Sequence, residues 1–244
     1  MSLLFVSMII IQVALIIHVV KTGRNQIWIW VLALLSLPGA IAYIAVEILP
    51  ELLRSRTAQH TARGLRKAMD PGRDLRRYES EARVGSNVAS RQRYAQELVR
   101  HQRYDEAIGQ YREALTGLYE HDPDLMLGLA QAQFGKGDAA AARATLDELI
   151  RRNPDFRSPA GHLLYARALE AEGNVPKALE EYAVLAPAYP GAEASVRYAQ
   201  LLQAQGRRAE AQKVARELLE QARIAPGHYR RAQRPWLDAA QRLL

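Results

Sequence analysis

Gly135-Lys-Gly137-Asp-Ala-Ala140 has the Gly-x-Gly-x-x-Ala spacing of a dinucleotide phosphate loop. That chemistry needs a strand before the glycines and a helix N-terminus after them to hold the pyrophosphate. Here helical sequence flanks the motif on both sides, so the phosphate reading is rejected. The six histidines, His18, His60, His101, His121, His162 and His228, show no metal-ligand spacing such as His-x-x-x-His. His121-Asp-Pro-Asp124 reads as a polar loop. There is no cysteine, which excludes disulfides, thiol nucleophiles and thiolate zinc sites together. No Ser-His-Asp set falls on rigid neighbouring elements. The expectation is a protein that is not an enzyme, with no catalytic residue, cofactor or metal. Glu47, a carboxylate in an otherwise apolar stretch, is a functional candidate by position. It lies within a turn of the stretch's end, where headgroup water and the chain's amino terminus are in reach, which favours a passive role.

The elements that would carry any site are helical. Ala, Leu, Arg, Glu and Gln dominate the 244 residues, 49% of the residues are apolar, and nothing after residue 50 alternates like a strand. The sequence predicts an all-α chain in four parts: a transmembrane helical hairpin (1–50), a basic helical linker (51–86), four repeats (87–223) and a C-terminal capping helix (224–244).

Leu3 to Val20 carries no formal charge apart from His18 and spans about 27 Å as a helix, close to the hydrocarbon thickness. It lacks the basic n-region and small-x-small site of a signal peptide. After the polar turn Lys21 to Gln26, a second apolar stretch runs from Ile27 to Leu49. Trp28 and Trp30 stand at its start, and Pro38-Gly39 should kink it. The turn carries Lys21 and Arg24, whereas Arg54, Arg56, Arg63, Arg66 and Lys67 follow the second stretch. The heavier basic side stays cytoplasmic, so a two-pass protein with both ends in the cytoplasm of a bacterium, at its inner membrane, is expected. Those five basic residues are candidates for anionic headgroup contact, at about 1 kcal/mol each near the surface. The formal net charge of +7 could also mean nucleic acid. Position beside the membrane, the interspersed Glu79 and Glu81, and the absence of any zinc-finger, RRM or basic-zipper pattern argue against it.

The stretch from His18 to Pro50 resembles the two-helix membrane domain that precedes the catalytic part of cardiolipin-synthase-type phospholipases. His18, Gly23, Arg24, Trp28, Pro38, Gly39 and Tyr43 carry the resemblance. That family's catalytic His-x-Lys signature is absent. The resemblance implies a membrane module without the enzyme.

Between residues 88 and 223 a helix-turn-helix unit recurs. Ala95, Ala130, Ala166 and Ala199 sit in the first helices. Ala107, Ala142, Ala178 and Ala211 sit in the second helices, at spacings of 35, 36 and 33 residues by difference of their numbers. Tyr94, Leu129, Tyr165 and Tyr198 precede the first set. Tyr111, Leu146, Tyr182 and Ala215 follow the second set by four. Gly137, Gly173 and Gly206 mark the turns, with Gln102 in the first unit's place. This pattern resembles the tetratricopeptide repeat, a pair of antiparallel helices with a period of about 34 residues, stacked as an α-solenoid. Tyr229, Ala232, Trp236, Ala239 and Leu243 make the stripe of a capping helix, which Pro235 should bend or restart.

The resemblance implies a ligand groove on the first helices. Its outward positions are Gln92, Gln96 and Arg100 in unit one; Leu127, Gln131 and Phe134 in unit two; Leu163, Arg167 and Glu170 in unit three; and Val196, Gln200 and Gln203 in unit four. A row of Gln96, Gln131, Arg167 and Gln200 offers donors and acceptors to a peptide backbone. A solvated polar face is the competing reading. Phe134 and Arg167 are the strongest anchor candidates, since aromatics and Arg dominate hot spots. Gln92 and Gln96 stand where some members carry a Lys and an Asn for a terminal carboxylate, so chaperone-tail binding is not expected. The sequence thus points to a membrane-anchored adaptor or scaffold with a protein or peptide partner and lipid contacts, in a role such as assembly of a membrane complex. The alternative is a regulator of phospholipid enzymes or a sensor of anionic lipid.

Overall fold

The computed structural model describes residues 3–22, 25, 27–48, 70, 72–85 and 87–244, and for 3–11, 36, 37 and 48 the backbone alone. Arg54, Arg56, Arg63, Arg66 and Lys67, with Gly23, Arg24, Pro71 and Ser86, lie outside the described residues. The regular structure of the described residues is all helical, without a strand, and it falls into two units divided at Arg73 and Asp74.

The first unit is a hairpin of α1 (Leu3–Thr22) and α2 (Ile27–Tyr43). The second apolar stretch is not one α-helix: α2 passes at Tyr43 into a π-turn, Ile44–Ile48. Among the described residues no helix is long and apolar enough to cross a membrane. Val19, Leu32, Ala40 and Tyr43 form a small core. The polar side chains gather against it. Gln12 donates to the Leu32 carbonyl, His18 Nδ1 lies 3.0 Å from the Tyr43 hydroxyl, and Trp28 Nε1 donates to Glu47 at 3.1 Å. The two tryptophans therefore part company: Trp28 packs edge-on against Tyr43, while Trp30 is 69% exposed. Val13, Ile17, Val20, Ile27, Leu34, Leu35, Ile41 and Val46 are exposed with it. Gln12, His18, Trp28 and Glu47 are half-buried beside the apolar core, and these large apolar side chains face away from it.

The second unit opens with α3 (Arg73–Gly85). Its Leu75 and Ala82 are buried in the same core as Tyr94, Ala95 and Leu98. The sequence places this segment in the linker; the structure makes it part of the array, because its apolar face covers the open side of the first repeat. Four helix pairs follow: α4 (Val88–Arg100) with α5 (Tyr104–Ala114), α6 (Pro123–Lys136) with α7 (Ala139–Arg152), α8 (Pro159–Ala171) with α9 (Val175–Leu185), and α10 (Glu193–Ala204) with α11 (Arg208–Ile224). The eight register alanines are all 1% exposed or less, which lets neighbouring helices approach closely. Local chemistry fixes the helix starts. Asp122, Asp138 and Ser158 accept backbone N–H bonds from Leu125, Ala141 and Gly161 at 3.0, 2.9 and 3.0 Å. Pro123 and Pro159 occupy first-turn positions, where a missing N–H costs little. The inter-helix turns need a left-handed residue. Gly137 supplies it at φ 95°, and Gln102 adopts φ 59° in the first unit without the benefit of a glycine. The Gly135–Ala140 motif is thus the end of one helix and the cap of the next.

The last helix, α12 (Gly227–Gln241), runs through Pro235 without a restart. Trp236, Ala239 and Leu243 of the predicted stripe pack on the fourth unit and Tyr229 is half-buried; Ala232 is exposed instead, and Ala240 and Leu237 join the packed face. Gln233 ties the cap to the fourth unit, where its side-chain oxygen accepts the Ala192 N–H at the start of α10 at 3.0 Å.

Candidate protein-binding groove

The first helices α4, α6, α8 and α10 lie behind one another, and a cavity of about 410 Å³ opens between them. Gln131 and Phe134 reach it from α6, Arg167 from α8, and Tyr189 and Glu193 from the turn into α10. The Arg167 guanidinium lies 4.7 Å from the centre of the Phe134 ring, a cation–π arrangement. Its terminal nitrogen is 3.8 Å from Glu193 Oε1. Its Nε is buried and has no hydrogen-bond partner among the described residues. Burial, and then the nearby positive charge of Arg197, pull the Arg167 pKa below the ordinary arginine value. An arginine stays protonated regardless. The site therefore holds a fixed cation beside an aromatic wall, with the Arg167 Nε itself out of reach of solvent. Arg197 extends the line toward the cap, 2.8 Å from Glu193 and stacked on Trp236 at 5.4 Å.

Of the predicted groove residues, Gln131, Phe134, Leu163 and Arg167 come together at this cavity, whereas Leu127 lines a separate cavity on the other side of α8 and Val196 is fully buried. Gln96 and Gln200 are exposed on α4 and α10, and Gln92 and Gln203 are half-buried. Arg100 is paired with Glu97 at 2.9 Å. Glu170 is turned to the second helix of its own unit, where the buried Tyr182 hydroxyl donates to it at 2.7 Å. Tyr189 and Glu193 are invisible to the sequence pattern. Tyr189 belongs to the connection between units three and four and Glu193 is the first residue of α10, positions for which the repeat assigns no contact.

The second unit has the architecture of a tetratricopeptide array, a class of α-solenoid that serves as a protein–protein interaction scaffold and is generally non-catalytic. Residues 98–160 match the tetratricopeptide-repeat family model. Among solved structures, a thermophilic tetratricopeptide protein of Thermus thermophilus is similar at 19% identity and a TM-score of 0.51, over 69% of this chain and 86% of that one. The pilF protein of Pseudomonas aeruginosa is similar at 21% identity and a TM-score of 0.50, over 92% of this chain and 96% of that one. At these identities the likeness is one of fold. No curated protein sequence matches.

Proposed function

We propose that the chain is a membrane-tethered adaptor whose array holds a peptide segment of a partner protein along the first helices. The observation that carries this reading is the Phe134–Arg167 pair, an aromatic wall and a cation beside a cavity of about 410 Å³. Such pairs are the residue types on which binding energy concentrates. Arg167→Ala and Phe134→Ala are each expected to weaken partner recovery about tenfold or more, the loss of a hot-spot side chain. The measurement is immunoprecipitation after crosslinking in cells, quantified against the unaltered chain. Recovery of the same proteins in the same amounts from both variants would remove the groove assignment.

The tether rests on the exposed apolar side chains of the hairpin. Its outward belt of Ile17, Val20, Trp30, Leu34 and Ile41 has no protein covering among the described residues, and hydrocarbon is the solvent that suits it. Ile27 to Ile48 reaches about 33 Å only when the π-turn continues α2. On this reading the array lies on the cytoplasmic side of a bacterial inner membrane, where tethering raises the effective concentration of partners and helps a membrane complex assemble. The full chain is expected to stay with membranes through an alkaline carbonate wash and to leave only in detergent. Placing lysine at Ile17, Leu34 and Ile41 together is expected to release it, since each charge at the bilayer centre costs about 2.5–3.5 kcal/mol. Release of the unaltered chain by carbonate would sink the anchor. A reporter at Leu244 active only outside the cytoplasm would reverse the orientation. A role in sensing anionic lipid would rest on residues 54–67 and on the phospholipase resemblance.

A further inference from the structure

The positive charge of the chain is gathered at its two ends. Residues 1–73 carry eight basic side chains against three acidic ones, and residues 205–244 carry nine against four. Between them, residues 74–204 carry sixteen against nineteen, so most of the array is mildly acidic. The basic excess of α11 and α12 thus equals the one that accompanies the apolar pair, although it lies at the far end of the array.

Ion pairing leaves that excess in place. Each of the four carboxylates takes one cation: Glu210 with Arg207 at 2.6 Å, Glu217 with Lys213 at 4.0 Å, Glu220 with Arg223 at 3.7 Å, and Asp238 with Arg234 at 3.8 Å. On α10, against which α12 also packs, Glu193 is already shared by Arg197 and Arg167. Arg208, Arg216, Arg230, Arg231 and Arg242 are left exposed, with no carboxylate in ion-pair distance among the described residues. Three of these five belong to one surface. At about 100° per residue, Arg230, Arg231, Arg234 and Arg242 fall within about 120° of each other around α12, extending about 18 Å along it. They lie on the side away from Trp236, Ala240 and Leu243, which pack on the fourth unit. Asp238 is the only acidic side chain of the helix.

We propose that the outer face of α12 docks on the surface of an anionic lipid bilayer. The proposal rests on the tethered reading, which keeps this face within reach of headgroups. Two further features select a bilayer among polyanions. Ile224 and Leu244, just before and just after α12, are 85% and 55% exposed, and apolar side chains beside arginines suit the boundary between headgroup and acyl chain. The aromatic residues of the helix face the other way. Tyr229 is half-buried, and Trp236 packs on the fourth unit with Arg197 stacked on it, so nucleic-acid bases find no ring to stack on. Each basic side chain near an anionic surface shifts the docking equilibrium about fivefold. A second hold at the far end keeps the array at the membrane, where its groove meets membrane-borne partners at raised effective concentration.

The chain has no cysteine, so Gln241→Cys, exposed on the same face, carries a single fluorescent label. The full-length labelled chain is placed in vesicles of phosphatidylcholine, or of phosphatidylcholine and phosphatidylglycerol in equal parts. Acrylamide, an uncharged quencher, then reads the fraction of label that is shielded. Shielding is expected in the anionic vesicles and not in the neutral ones, and it should vanish in molar salt, where screening acts within about 3 Å. Arg230→Gln, Arg231→Gln and Arg242→Gln together should lower the ratio of shielded to free label about a hundredfold, about fivefold for each. Equal quenching in the two vesicles, or shielding that survives both salt and the three substitutions, would overturn the proposal. So would stronger shielding by duplex DNA added to the neutral vesicles, which would make the face a nucleic-acid site. Carbonate extraction of the same vesicles reports the anchor separately. A chain that leaves in carbonate yet is shielded by anionic lipid keeps the docking face and loses the tether; one that stays with its label equally quenched loses the docking face alone.

Discussion

Gly128→Ala is expected to destabilise the array by about 2–3 kcal/mol, although helix propensity alone favours the substitution by about 1 kcal/mol. Gly128 lies inside α6, where an alanine would ordinarily help. A Cβ there would stand 2.6 Å from the Tyr111 hydroxyl oxygen, with the ring carbons closer still. Tyr111 is 1% exposed and locked between α5 and α6, so its ring cannot swing away and α6 must shift. Gly135 makes the contrast. Its Cβ would stand 2.8 Å from two ring atoms of Tyr104 and closer still to a third, as tight a clash, but that ring is half-buried at the start of α5 and can turn toward solvent. Gly135→Ala should therefore be close to neutral. Urea unfolding of the full chain in detergent, followed by helical circular dichroism, compares the two. Tyr111→Leu combined with Gly128→Ala should cost less than the sum of the single changes, because the smaller side chain relieves the clash. A raised midpoint for Gly128→Ala would show that the two helices are not packed through this glycine.

Alkali is expected to unfold the array by way of its buried tyrosines. Burial pushes Tyr111 up to about 12. Tyr182 is raised further, by burial first and then by its hydrogen bond to Glu170 and that group's charge. An exposed tyrosine in the unfolded chain ionises near pH 10. Above that pH the unfolded state binds fewer protons than the folded one, so stability falls as pH rises. The contribution is fully present below about pH 10 and is lost progressively as pH climbs toward about 12. For Tyr111, 1% exposed, the loss amounts to about 2–3 kcal/mol across that window. Tyr111→Phe should flatten the pH profile. Tyr182→Phe should flatten it too, while lowering stability at neutral pH by about 1–2 kcal/mol through the lost bond to Glu170. A urea midpoint constant from neutral pH to about pH 11 would contradict the assignment.

Both effects sit on positions that the repeat pattern itself marks. Tyr111 and Tyr182 are the large residues that follow a small one by four, and the structure buries them at 1% and 0%. The register is legible because it is a local property. An alanine every 33 to 36 residues marks where one helix must approach its neighbour, and each copy repeats the same requirement. The turns are legible for a similar reason, since Gly137, Gly173 and Gly206 stand where a positive φ is needed. Ala232 alone departs from the predicted stripe, beside Gln233, whose side chain accepts the Ala192 N–H from 41 residues away, a contact no spacing within α12 records.

The sequence by itself determined the helical class, the four-unit repeat, the apolar N-terminal pair and the likeness to tetratricopeptide arrays. Each of these follows from composition or from a period along one helix. Only the tertiary structure decided that α3 closes the first unit, that Gln12, His18 and Trp28 bond across the hairpin, that Arg167 lies on Phe134, and that a second cavity opens on the other side of α8. These depend on how far one helix pair is rotated against the next and on which rotamer a long side chain adopts there. Neither quantity is written in the spacing of residues on a single helix.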